Sequence, residues 1–341
     1  MQYVENTKYM GRVQHIEFRL KKMKKQTLLI VLFFTVTSCS EKVYQMTADG
    51  EQFNSLTQIT EGDKPSTYPH GGDFGTNLVF VSREADGHYN ICMKEDVLKK
   101  AYLQKTDGNN FNIAPQYCSS NDKIVFQYFD KNNFDIYYIE ANKGKAITQV
   151  TNTDENEYNP AWSPDGNLIV FEKGGNPRSY IQSNTQNEMS VTKNQVWLKN
   201  LKSNELKLLG EGSFPKISND GKNIVYVKYE FNKKKDKEQG TIWTMNIDGE
   251  LPKQITNAKL GYATNPNWSP DGKSFIFQLT KANKIDSDIY TIDINGENLK
   301  QYTSNKSNDF APYWSVDDFV YFASDRKSQA KKYQIWRFKI K

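Results

Sequence analysis

The chain has 341 residues, with 45 Lys/Arg against 40 Asp/Glu, a formal net charge of +5 and only three histidines. The excess is local: residues 1–38 hold seven basic and two acidic side chains, so the remaining 38 of each sign cancel. That balance removes the electrostatic footprint a nucleic-acid-binding protein needs, and about 300 neutral residues are ample for one domain.

The front of the chain reads as an address. Met23-Lys24-Lys25 opens a basic stretch, and Thr27 to Thr35 is an apolar run too short to span a bilayer, which takes about 20 residues. Together they form a signal peptide over 23–38. It ends in Val36-Thr37-Ser38-Cys39, which resembles a bacterial lipobox, with the Cys39 thiol as the group that accepts a lipid. Ser40 is not the Asp of the inner-membrane sorting pattern, so the expected location is the outer membrane of a bacterial envelope, on either face. Residues 1–22 precede a complete signal and read as an over-extended start, with Met23 as initiator. Residues 39–53 read as a tether.

From Ser55 onward the sequence repeats. Pro160-Ala161-Trp162-Ser163-Pro164-Asp165-Gly166 recurs as Pro266-Asn267-Trp268-Ser269-Pro270-Asp271-Gly272, each followed by an apolar run. Degenerate copies put anchor prolines at 69, 115, 160, 215, 266 and 312, with spacings of 46, 45, 55, 51 and 46 residues. In each copy a short first strand leads through a turn to a second (Leu168 to Phe171 in the third copy). A third follows (Val196 to Lys199; elsewhere Ile91, Ile136, Ile242, Ile289 and Ile335 mark it), then a fourth that often ends in Thr, as in Ala146 to Thr151, Lys253 to Thr256 and Lys300 to Thr303. Four strands in about 45 residues, repeated six times, predict an all-β six-bladed propeller over 54–341. The last copy lacks a fourth strand, and Ser55 to Thr60 has the missing sequence, so residues 55–60 are expected to complete the last blade and close the ring.

The Pro-x-Trp-Ser-Pro-Asp-Gly pattern, with its Ile-Tyr or Ile-Trp third strands, resembles the TolB-type propeller repeat. The resemblance implies a fold whose members serve as protein-binding modules, as enzyme appendages or, in oligogalacturonate lyases, as a metal-dependent catalytic site held by histidines. Beyond residue 38 only His70 and His88 remain, without ligand spacing, and no Gly-x-Ser-x-Gly elbow is present. No catalytic residue, metal or cofactor is therefore assigned. The turn aspartates Asp165, Asp220 and Asp271 read as backbone acceptors, the repeated tryptophans as packing between blades, and Cys92 and Cys118 as buried thiols too far apart to bridge.

What remains for function is surface. Two enlarged loops between second and third strands, 174–194 and 230–240, explain the long spacings and come from adjacent blades. They offer Arg178 and Tyr180, and Lys233, Lys234 and Lys235. The blade linkers on the same face offer Tyr68, Tyr158, Tyr262 and Phe310, and His70 is placed at the central channel. These residues predict a monomeric, lipid-anchored, non-catalytic binding module. Its partner is an envelope protein or peptide, with a glycan held in the central funnel as the alternative.

Overall fold

The computed structural model describes residues 55–340 apart from 130–131, 175–193, 233–236, 282–283 and 329–331, together with a two-stranded ribbon, Gln45–Met46 against Gln52–Phe53. The segments read above as start, signal peptide and lipidated Cys39 lie outside the described residues.

Six blades follow one another. In blade 3 the strands Glu157–Trp162, Leu168–Lys173, Gln195–Asn200 and Leu206–Glu211 pair antiparallel in chain order, from the innermost strand outward. Blades 4 and 5 repeat this arrangement, and blades 1 and 2 are joined into one sheet by a single parallel bridge, Tyr89 to Phe111. Blade 6 takes its outermost strand from the other end of the chain: Leu56–Gln58 pairs antiparallel with Gln334–Lys339, Leu56 opposite Phe338 and Gln58 opposite Trp336. The expected closure by residues 55–60 is what the molecule has.

Among the described residues the core divides into six apolar clusters, one per seam between neighbouring blades. The second strands explain why. Ile169 and Phe171 face blade 2 while Val170 between them faces blade 4. A strand covered on both sides must be apolar at every position, which is why these segments read as continuous runs. The closing strand shares this logic: Ile59 is buried with Leu78, Phe80 and Cys92 of blade 1 and Ile335 of blade 6.

The recurring polar residues have local work. The Thr that ends the outermost strand accepts, through its hydroxyl, the backbone N–H of an Ile on the third strand: Thr106 from Ile91, Thr151 from Ile136, Thr256 from Ile242, Thr303 from Ile289 and Thr60 from Ile335, all at 2.8–2.9 Å. The bond covers a buried donor where the outer strand turns away. In the turns, Ser163 donates to Asp165 and accepts from Leu168 N–H, and Ser218 and Ser269 do the same with Asp220 and Asp271. These aspartates are held below the usual carboxylate range, first by the serine hydroxyl. They are structural acceptors, as the sequence indicated. Cys92 and Cys118 are buried free thiols.

One enlarged loop is not a loop. The second and third strands of blade 4 run Asn223–Asn232 and Lys237–Asn246, with Asn232 opposite Lys237, so 230–240 is mostly the end of a long hairpin. The hairpin lies against blade 5. Tyr229 stacks on Tyr262 at 5.3 Å and its hydroxyl meets Thr264 Oγ1 at 2.8 Å. Gly240 permits the approach, since a Cβ there would sit 2.4 Å from the Ala263 carbonyl oxygen.

Candidate functional site

The innermost strands converge on the ring axis, and all six share a device that the sequence alone does not display. The residue before each anchor proline has a positive φ, between 50° and 54°: Tyr68, Ala114, Asn159, Phe214, Asn265 and Ala311. Each sits in a bulge where the pairing register with the second strand slips. Only the two asparagines suit that conformation well, so the surrounding structure must hold the others in it. At three of the six positions a side chain from the preceding blade accepts the backbone N–H of the positive-φ residue. Gln127 Oε1 accepts Asn159 N–H, Glu172 Oε2 accepts Phe214 N–H, and Gln278 Oε1 accepts Ala311 N–H, each at 3.0 Å. The bulge breaks the ladder and re-aims the flanking side chains along the axis.

The result is a channel lined by two rings of side chains. The six positive-φ residues form one. From the position after the proline, His70, Gln116, Lys216 and Asn267 contribute to the other. Between them about 40 Å³ is open to the centres of water-sized molecules, room for a few waters. This lining carries one cation and no carboxylate. Burial pulls the His70 imidazole down to about 3, helped by the nearby Lys216 charge. His70 is therefore neutral, with Nδ1 accepting from Tyr117 N–H at 3.3 Å and its ring 4.2 Å from that of Tyr313. Burial likewise pulls the Lys216 ammonium down to about 7. Its backbone is fixed by Trp268 Nε1, which donates to the Lys216 carbonyl at 3.0 Å. Glu172, fully buried, is pushed up by desolvation, an effect opposed by donors from Asn159, Asn194 and Phe214.

The sequence-predicted contact residues separate into four groups. His70 and Tyr68 line the channel, Tyr68 meeting Phe310 edge-on at 5.8 Å. Phe310 packs in turn on Tyr333, and Tyr262 on Tyr229. Tyr158 is 1% exposed and packs on Phe134, so it belongs to a blade seam and is out of a partner's reach. Arg178, Tyr180, Lys233, Lys234 and Lys235 lie outside the described residues. Sequence reasoning missed Lys216, which reads as an ordinary strand residue after a proline until the ring closes around it. It also missed a carboxyl pair at the seam of blades 2 and 3. Asp135 and Glu157, both 1% exposed, both bond Thr153, and Glu157 is pushed up to about 7 by burial first and the neighbouring Asp135 second. Among the described residues no three His, Cys, Asp or Glu side chains gather where a metal could sit.

Comparison with known proteins places this architecture. The family model described as the TolB β-propeller domain matches residues 213–340, blades 4 to 6. The Tol-Pal system protein TolB of Francisella tularensis subsp. mediasiatica is 23% identical over 269 residues, 72% of this chain and 55% of that protein. The chain thus spans about half the length of the curated TolB relatives it matches. The crystal structure of TolB from Acinetobacter baumannii superposes with a TM-score of 0.59 at 16% identity, covering 79% of this chain and 65% of that one. An oligogalacturonate lyase in complex with manganese superposes with 0.57 at 14% identity, covering 87% and 95%; at that identity the likeness is one of fold. In its repeat, its blade architecture and the domain matched by its last three blades, the chain is a TolB-like β-propeller.

Proposed function

We propose that this propeller is a non-catalytic protein-binding module of the bacterial envelope, tethered to the outer membrane by a lipid on Cys39. The observation that carries the reading is the channel. Six bulged strands crowd it with side chains, leaving about 40 Å³ open to the centres of water-sized molecules, so recognition of a macromolecule falls to the faces of the ring. One face bears the second-to-third connections and the blade linkers. There the blade 4 hairpin, with strands of ten residues, runs on past the six-residue second and third strands of blade 3. Tyr68 and Phe310 meet across the ring from it, at the seam of blades 6 and 1. Aromatic anchors and a long hairpin spread around one ring suit a polypeptide partner. Relatives that carry the name Tol-Pal system protein TolB favour the same class of function.

The test is in-cell crosslinking of the full chain followed by mass spectrometry, beside a variant in which 174–194 is replaced by a short Gly/Ser turn. One stoichiometric envelope protein, captured by the wild type and lost in the variant, supports the reading. Equal capture by both would remove the loop face from it. Separately, Cys39→Ala should move the protein from the membrane fraction to the soluble fraction; continued membrane association would defeat the lipid tether.

A further inference from the structure

We infer that the ring face opposite the loop face docks on the lipid surface, with Phe74, Leu98 and Val316 entering the headgroup layer. The inference rests on the lipid tether proposed above. In each antiparallel blade the turns from first to second strand and from third to fourth lie on one face, and the second-to-third connections and blade linkers lie on the other. The chain enters the ring at Leu56, opposite Phe338 near the end of the third strand of blade 6, Gln334–Lys339. That is the turn-bearing face, so a tether from Cys39 leaves the ring there. Cys39 lies 17 positions before Leu56, and extended chain at about 3.4 Å per residue spans at most roughly 60 Å. The ribbon of Gln45–Met46 against Gln52–Phe53 folds part of that length back on itself.

Exposed apolar side chains follow the same polarity. Among the described residues Phe74, Leu98, Leu251, Ile294 and Val316 stand on turns of this face, against Ile285 on the second-to-third connections. Three of them form one block at the seam that the entering strand closes. Asp73 Oδ1 accepts the Val316 N–H at 3.3 Å, and the Gly75 carbonyl accepts the Val97 N–H at 3.0 Å, which locks the three turns together. Phe74 departs from the repeat. At its place in the turn, blades 3 to 6 carry Asp165, Asp220, Asp271 and Asp317, each accepting from the serine two residues earlier. Blade 1 has Gly72 and Phe74 at those two positions and forgoes the bond. Phe74 takes a φ of 52°, costly for a bulky residue, yet is 78% exposed, so packing within the ring returns nothing for it. Leu98 is 69% and Val316 49% exposed. A rigid apolar cluster beside the root of a short lipid tether meets the bilayer before it meets anything else. Such a patch gives only weak, reversible binding on its own, so Cys39→Ala still releases the protein.

The experiment uses the full chain, taken from bacterial membranes and reconstituted into phosphatidylethanolamine–phosphatidylglycerol vesicles. Phe74→Cys carries an environment-sensitive dye, and Ile285→Cys carries the same dye on the opposite face; Cys92 and Cys118 are buried and Cys39 is acylated. The expected result is blue-shifted emission at position 74, quenched about two-fold when half the lipid is brominated high in its acyl chains, with neither change at position 285. Water-like emission at 74 in a chain that floats with the vesicles overturns the docking and leaves the tether standing. A chain that does not float overturns both. A blue shift at 74 without quenching by brominated lipid means that a protein surface, such as a second copy, covers the patch, and this also overturns the inference. Should Phe74→Cys fail to fold, the dye on Val316→Cys gives the same readings.

Discussion

Ring closure makes a quantitative prediction about Ile59. Its side chain is 6% exposed, packed among Leu78, Phe80, Cys92, Tyr321 and Ile335, and its backbone N–H donates to Ile335 O at 2.8 Å. Its carbonyl accepts from Lys94 Nζ at 2.9 Å, the hydrogen bond found for an ammonium that is 2% exposed. Truncation to alanine removes methyl groups from both blades that meet there and costs about 3 kcal/mol, in the middle of the range for a buried aliphatic side chain. With a urea m-value of about 3 kcal/mol/M, suited to a domain of this size, the unfolding midpoint falls by about 1 M. Deleting residues 55–60 does more. It removes the Ile59 side chain, the Ile59–Ile335 and Thr60–Ile335 bonds and the Thr60–Gln334 bond, and leaves Lys94 buried without an acceptor. At about 1 kcal/mol per hydrogen bond plus the apolar loss, the total is roughly 6 kcal/mol, a large part of any domain's stability. Tryptophan fluorescence is a suitable reporter, because Trp336 lies directly opposite Gln58 in the closing pair. An unchanged midpoint in the deletion would refute the claim that this strand is integral to the ring.

Two further outcomes follow from the seams. Thr151→Val keeps the shape of the side chain but strands the buried Ile136 N–H; urea denaturation should show a loss of about 1–3 kcal/mol, recovered by Thr151→Ser. Glu157 has a folded-state pKa raised to about 7, above the ordinary 4.5. The folded protein therefore holds a proton that the unfolded chain releases. The associated stability is fully present below pH 4.5 and is lost as pH rises through 7. The wild-type Tm should fall between pH 5 and pH 8 by more than that of Glu157→Gln, and parallel Tm profiles would show that the pair does not share a proton.

Much of the fold is legible in the residues because the repeat is. Anchor prolines, turn aspartates and terminal threonines each report a local bond that recurs, and local bonds leave local signatures. Thr106 went unread because Lys105 stands before it, where the other copies carry an apolar residue, Ile59, Val150, Ile255 and Tyr302. The channel was hidden for a different reason. Nothing about Tyr, Ala or Phe before a proline signals a positive φ, and at Asn159, Phe214 and Ala311 that backbone is held by Gln127, Glu172 and Gln278 from neighbouring blades. The linker aromatics look equivalent in sequence, yet Tyr158 is sealed in a seam while Tyr68 reaches the axis. Placement relative to a closed ring is a non-local property, and so is the approach of Lys216 to His70.

The pairing of Thr60 with Ile335 joins residues 275 positions apart, and this sets the order in which the molecule can be made. The entropy of closing so long a loop grows only logarithmically, to roughly 5 kcal/mol, so the finished ring can bear it. Time is the harder constraint. A ribosome adding about 5–20 residues per second needs roughly 15–55 s to cover that distance. Throughout that interval the first propeller strand exists without its partner, and the faces of Leu78, Phe80 and Lys94 stay open. Blades 2 to 5 take all their strands from contiguous sequence and can form as they emerge. Blades 1 and 6 can seal against each other only after Gln334–Lys339 has been made, which makes that seam the place where a chaperone, a protease or a neighbouring nascent chain has its opportunity.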